Sequence, residues 1–431
     1  MDLNRRQLLG LAGTLGGVAA LSGCAGFSRP DTATGADELT FTTWGSDSEL
    51  LGFEQAIAAF EESNPGAKVT LNVVPFAQMF ENIDAQLQSG TAPDIFRVDY
   101  DNLGVYSGRG QLLDLGPYID DAVGNQFTDQ MWRAVQFDGA PYGVPHHTDT
   151  STILYNKDAF AAAGITAVPD TLESAWTWEE FDQVATTLRG QLSDDRYPFA
   201  YNWQASGVTR WLSWLFQADG RFLADDLMTP AIDSAAGRAA VDFTKGFFPR
   251  RLVPENSSVK SSTFASDIFF SETSTMTFAG AFLLPDAAKL APFEWGATFS
   301  PRNKRGGGDL GGNALVATSE TTKPELAAEF LTFMTREETM FNFCVGASLL
   351  PTLKSLVGED LPFAERGDLA TYFVQQASNV RPDDAAQIAS PAMAAINTVL
   401  SDELEQAFIG GQSTDDTIAN ITAGITEATS R

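Results

Sequence analysis

Cysteine is nearly absent from this chain of 431 residues, which holds only Cys24 and Cys344. With Cys24 modified no intrachain disulfide is possible, so stability must come from a large core. Histidine is as scarce. His146 and His147 are neighbours that face opposite ways on an extended segment, and a metal site would need two or three more ligands. Neither metal nor cofactor is therefore expected. Basic residues are few, 27 Lys and Arg against 56 Asp and Glu, for a net charge of −29. Such a surface repels phosphate backbones and anionic headgroups, which excludes nucleic-acid binding. The carboxylates are scattered, so the charge reads as solubility or adaptation to salt more than as attraction for a cationic ligand. The eight tyrosines form no cluster of the kind ferric iron requires. A Gly-x-Ser-x-Gly elbow is missing. The glycine-rich stretch from Arg302 to Gly312 lacks the Gly-Lys-Ser/Thr end of a phosphate-binding loop, and is expected to be a mobile surface loop displaying Arg302, Lys304 and Arg305.

What is present begins at the N-terminus. Arg5-Arg6 precede an apolar stretch from Leu8 to Leu21, which ends at Leu21-Ser22-Gly23-Cys24. A positive start, a short apolar run and a small-residue boundary make an export signal over residues 1–23. The run is too short to span a bilayer, which takes about 20 residues. The paired arginines resemble a twin-arginine signal, and Leu-Ser-Gly-Cys resembles the lipobox of bacterial lipoproteins, in which the cysteine is lipidated. The expectation is an exported protein, anchored only through Cys24 to the outer face of the bacterial cytoplasmic membrane. Residues 24–36 are small and polar and read as a flexible tether.

About 400 residues remain, more than the roughly 250–300 that one core serves, so two lobes are expected. The composition, 44% hydrophobic and 19% charged, is that of a folded globular chain. Glu38 to Trp44 is β-rich; Ser48 to Ser63 reads as a helix stopped by Asn64-Pro65-Gly66. Lys68 to Val74 alternates as a strand, Gln78 to Gln88 is helical, Ile95 to Val98 is a strand, and Leu103 to Arg109 a short helix. A second block of this kind starts near Ser151. Pro324 near N1 and the Thr335-x-x-Glu338 pattern mark two later helix starts, and the chain from Pro391 onward is helical. Strands alternating with helices predict an α/β class with mainly parallel sheets flanked by helices.

Several segments then carry a resemblance. Gly90-Thr91-Ala92-Pro93-Asp94-Ile95 follows a helix. Tyr142-Gly143-Val144-Pro145 leads to Leu154-Tyr155-Asn156-Lys157-Asp158, Gly164 and Trp178-Glu179-Glu180-Phe181. Thr275-Met276-Thr277-Phe278-Ala279-Gly280, Gly311-Gly312, Ala327-Ala328-Glu329-Phe330-Leu331 and Leu350-Pro351 come later. In their order and spacing these resemble the extracellular solute-binding proteins of ATP-driven importers, in the branch that contains maltose-binding protein. The resemblance implies the two-lobed periplasmic-binding-protein fold, with an N-terminal lobe of residues 37–148 and 300–346 and a C-terminal lobe of 149–299 and 347–431. Hinge crossings would lie near His147 to Thr150, Phe299 to Arg302 and Gly346 to Pro351. The ligand would sit between the lobes, outside the carboxyl ends of the strands.

It also implies where ligand contacts fall. A sugar offers hydroxyls and flat C–H faces, which carboxylates, amides and aromatic rings meet. Trp44 and Asp47 follow the first strand; Asp99, Tyr100 and Asp101 follow the third. Asp149 aligns with a sugar-contacting carboxylate of the maltose-binding branch. Trp203, Gln204 and Trp211 follow a later strand, and Gly312 and Asn313 could offer donors. Phe282 stands where the family commonly has a stacking tryptophan. Other readings stay open: Trp44 as a core aromatic, Asp47 as a helix cap, and one of Trp211 and Trp214 facing the core, with Trp211 the more outward. The leading function is a monomeric, non-enzymatic binding lipoprotein that delivers a carbohydrate, an oligosaccharide above all, to a transmembrane permease. Alternatives are a polyol, a glycerophosphodiester (Arg97 and Arg210 being candidate phosphate ligands) or another non-sugar solute, and an exported glycoside hydrolase.

Overall fold

A computed structural model describes residues 37–120, 122–204 and 207–430. The export signal, Cys24 and the tether lie outside the described residues. The strands are β1 (Glu38–Thr43), β2 (Lys68–Val73), β3 (Ile95–Asp99), β4 (Gln136–Phe137), β5 (Ala140–Pro141), β6 (Val144–Asp149), β7 (Thr152–Asn156), β8 (Tyr197–Ala200), β9 (Ser274–Ala279), β10 (Trp295–Thr298) and β11 (Gly311–Ala317). One sheet has the order β2-β1-β3-β11-β6 and a second β10-β7-β9-β8, with β4 and β5 a small hairpin. The architecture is two-lobed α/β, and the sheets are mixed. The β1 pairings with β2 and β3 are parallel, whereas β11 runs antiparallel to both neighbours. In the second sheet β8 is parallel to β9, and β7 is antiparallel to both β9 and β10. The antiparallel pairs arise where a strand enters its sheet from the other lobe instead of through a helical crossover.

Local signals set the helices. α1 (Asp47–Ser63) starts at Ser46 with a full capping box closed by Glu49, the Ser-x-x-Glu pattern that satisfies two orphan N–H groups. Its Phe53 and Phe60 pack on Phe41 of β1 and on Phe330. α2 (Phe76–Ser89) buries Met79, Ile83 and Leu87 at helical spacing and ends at Gly90 in the left-handed region (φ 66°). α3 (Tyr100–Gly108) follows β3 directly. Thr177 and Glu180 form a second capping box, at the start of the helix Trp178–Gln191. Thr335 does not cap the helix Glu337–Ala347: its hydroxyl donates back to Leu331 and Thr332 of the preceding helix.

The lobes meet along bundled crossings. The first crossing is Thr150–Ser151, between β6 and β7. The second runs from β10 to β11, and the third starts where Leu350 bridges Thr148. Asp309 ties two of them, accepting from Ser151 N at 2.8 Å, Ser151 Oγ at 3.0 Å and Thr150 Oγ1 at 3.4 Å. The glycine-rich segment is packed, contrary to the mobile surface loop expected. Arg305 is largely buried, and its Nη2 donates to both Asp384 oxygens, at 2.7 and 2.8 Å. Side chains at Gly306 and Gly307 would strike Asn379 and the backbone near Gln217. The glycines allow close backbone approach. α3 also lies against the C-terminal helices, Gly104 against the Ala389 carbonyl and Gly108 against Pro391.

Because Asp309 of the second crossing accepts from both residues of the first, Asp309→Ala should lower stability by about 3 kcal/mol, the loss of charge-assisted bonds to buried donors. A urea midpoint equal to that of the parent would show that the crossings hold without it.

Candidate ligand-binding cleft

The site grows from a buried cation. Arg97 is central in the first sheet and 2% exposed. Its Nη2 pairs with Glu49 Oε1 at 2.5 Å, Nη1 donates to the Trp44 carbonyl at 2.8 Å, and Nε donates to Asn313 Oδ1 at 2.9 Å. The guanidinium carbon lies 4.5 Å from the centre of the Trp44 ring, a cation–π geometry. Burial opposes the charge of Glu49, but Arg97 and the bonds from Ser46 outweigh it and hold the carboxyl below its ordinary range. Asn313 passes the network on, donating its Nδ2 to Asp99.

Asp99 and Asp101 stand half-buried at the carboxyl end of β3 and the start of α3. Burial and the Asp101 carboxylate push Asp99 up to about 7, against the pull of Arg97, Asn313 and Arg210. Burial also raises Asp101, which accepts 3.0 Å from Asn397 Nδ2 on the helix Met393–Phe408. At the hinge end of β6, Asp149 is 4% exposed and pushed up to about 7 by burial, with Arg210 pulling down and Asp309 pushing up. Its Oδ1 accepts from Ala281 N at 3.3 Å. A side chain at Gly280 would strike this carboxylate and the Phe282 ring, and Phe282 itself is 39% exposed. Gly311 pairs with Asp149 in the sheet, and Gly312 (φ 89°) follows. Arg210 of the second lobe, 3.4 Å from Asp309, is thus the cation that Asp99, Asp101 and Asp149 share.

The structure therefore brings together Trp44, Asp99, Asp101, Asp149, Phe282, Gly312 and Asn313. It does not bring the side chains of Trp203, Trp211, Tyr100 or Asp47 into that group. Trp203 is fully buried against Tyr201, Phe248 and Phe408, its N–H on the Ser257 carbonyl at 2.6 Å. Trp211 is equally buried, its N–H on Thr244 Oγ1 at 3.0 Å, and Trp214 is core as well. Fully covered rings offer no stacking face, so both tryptophans are core residues. Tyr100 is buried with its hydroxyl on the His147 carbonyl at 3.0 Å. Asp47 is exposed in the first turn of α1, where it meets the positive end of the helix; the cap is Ser46. Gln204 is buried with its Oε1 unpaired.

His146 and His147 do not face opposite ways. Asn313 opposes His147 and Ala314 opposes Pro145, so His146 is the extra residue of a bulge, which re-aims a side chain. The two Nδ1 atoms lie 3.3 Å apart, and burial with Arg97 nearby keeps both rings neutral. No cluster of three or more His, Cys, Asp or Glu side chains fit for a metal occurs among the described residues. Glu49, Asp309 and Asn397 were not foreseen. The Ser46-x-x-Glu49 pattern was the available signal for the first, while nothing local marks the others.

Asp99 and Asp149 hold protons more tightly folded than unfolded. Between about 4 and about 7 the native state binds more protons, so stability falls as pH rises through that window. Melting temperature should be higher near about pH 5 than about pH 7.5, and Asp149→Asn should shrink the difference. An undiminished difference in the variant would assign the pH dependence to the general acidity of the surface.

Residues 45–341 match the family described as bacterial extracellular solute-binding protein. The chain is 23% identical over 394 residues to a galactooligosaccharide-binding protein of Bacillus subtilis, covering 88% of this chain and 89% of that protein. It is 30% identical over 155 residues to an arabinooligosaccharide-binding protein of Halalkalibacterium halodurans, a match that spans 35% of this chain and 33% of that one. The fold is similar to the cyclic α-maltosyl-1,6-maltose binding protein from Arthrobacter globiformis, with TM-score 0.76, 19% identity, and 91% and 98% of the two chains covered. With the family matched across most of the chain and its two-lobed architecture present, this protein belongs to the bacterial extracellular solute-binding proteins.

Proposed function

We propose that the protein captures an oligosaccharide between its lobes and hands it to the permease subunits of an ATP-driven importer, without transforming it. The observation that carries this reading is the placing of Asp99 and Asp101 at the end of β3 and of Asp149 at the hinge end of β6, where its carboxylate reaches Ala281 of the second lobe beside the partly open Phe282. Carboxylates accept from sugar hydroxyls in charge-assisted bonds, and an aromatic face covers the ring. Relatives named for oligosaccharides support the same class. A phosphodiester is disfavoured because Arg97 is engaged by Glu49, Trp44 and Asn313, and Arg210 faces three carboxylates.

In this reading the lobes are 37–149 with 311–349, and 150–310 with 350–431, closing about the bundled crossings. Ligand selects the closed form, which presents both lobes to the permease. Cys24 carries the lipid anchor, reached after twin-arginine export, and the chain acts as a monomer.

A thermal-shift screen of sugars, polyols and glycerophosphodiesters tests it. A ligand at 100 times its dissociation constant adds about 2.7 kcal/mol to a protein that binds it only when folded. An oligosaccharide should raise the melting temperature and be recovered uncleaved. Asp149→Ala should weaken it by about ten- to a hundredfold, the worth of a charge-assisted bond. A shift only from phosphodiesters, or the appearance of shorter sugars, would refute the proposal.

A further inference from the structure

The first lobe carries an apolar surface that the polar cluster does not use. Beside Trp44 lies a groove of ≈ 530 Å³ lined by Trp44, Gly45, Val73, Val74, Pro75 and Phe76. Phe76 is 44% and Val73 49% exposed, and the Phe76 and Trp44 ring centres are 5.3 Å apart. Exposed apolar side chains that line one concave surface can meet the flat C–H faces of a sugar.

Its position gives it an occupant. The groove is formed by the loops leaving β1 and β2, and Asp99 ends β3; all three strands are parallel neighbours in the order β2-β1-β3. The groove therefore lies on the carboxyl edge of the sheet, in line with the carboxylates and continuous with them through Trp44. Adjacent strands are about 4.8 Å apart, so the edge from Asp99 to the β2 end runs about 10 Å, the span of roughly two further sugar rings. Trp44 is held to the polar cluster by Arg97, whereas Phe76, the first residue of α2, leans outward.

We propose that this groove is an outer subsite for pyranose or furanose rings beyond those held by Asp99 and Asp101, with Phe76 as its main stacking face. The inference rests on the carbohydrate reading and fixes the ligand class as chains of three or more sugar units. All its residues belong to the first lobe, so the subsite is intact before closure and lets a long chain dock first on one lobe.

Calorimetric titration with linear malto-, galacto- and arabino-oligosaccharides of two to five units tests it. Wild-type affinity should rise with length in the series that binds. Phe76→Ala should weaken chains of three or more units about tenfold, the order of one ring contact, and change the two-unit member less than about twofold. Phe76→Trp should restore the length dependence. Phe76 is exposed, so an unchanged melting temperature is expected and confirms folding. Binding that does not depend on length, or a loss equal at every length, overturns the subsite while leaving the carbohydrate reading standing. Absence of binding by all three series overturns both.

Discussion

The buried guanidinium of Arg97 is the interaction on which the cleft depends. A cation 2% exposed in the middle of a sheet is costly unless each of its nitrogens has a partner. Here Glu49, the Trp44 carbonyl and Asn313 meet them, and the Trp44 ring covers one side. Those partners come from three separate stretches of chain: the β1–α1 loop, the first turn of α1, and β11, which returns to the sheet from the other lobe. One side chain thus fixes the loop that bears Trp44, the amide that orients Asp99, and the register of a strand more than two hundred residues away in sequence. Glu49 serves twice, with one oxygen on Arg97 and the other on Ser46, so the start of α1 and the floor of the cleft are one structure.

Above that floor the electrostatics suit a neutral, hydroxyl-rich ligand. Burial raises Asp99, Asp101 and Asp149, and Arg210 is the cation that offsets them across the lobes. Carboxyls raised by burial lose part of their desolvation cost when hydroxyl donors arrive, since hydrogen bonds to the charged form favour it. In the structure described, Asn397 and Asn313 play that part for Asp101 and Asp99. The overall charge of −29 tells of surface and solubility, and little of the ligand.

Much of this was legible in the sequence, for reasons that differ by residue. The first β-α-β units could be read because Asn64-Pro65-Gly66 and Gly90 punctuate them, and because apolar spacing marks the buried faces. Asp99 and Asp101 could be named as candidates because they follow the third strand, where open α/β sheets gather ligands, and Asp149 through the family resemblance at the first crossing. Trp203 and Trp211 misled because an aromatic after a strand looks alike whether it faces a cleft or a core; only packing against Phe248, Phe408 and Thr244 distinguishes them. The histidine pair misled because a bulge breaks the two-residue alternation. Asp309 hid in a run of glycines that reads as a loop, yet those glycines let the backbone press into the hinge. Asn397 was out of reach, since its partner Asp101 is brought to it only by the docking of the lobes.

The most direct test is a crystal structure of the protein with an oligosaccharide that stabilises it. The account predicts sugar hydroxyls on Asp99 and Asp101 of the first lobe and on Asp149 at the hinge, with a ring against Phe282 of the second lobe and the Arg97–Glu49 pair intact beneath. A ligand seated away from these carboxylates, or held by one lobe alone in a closed form, would contradict it.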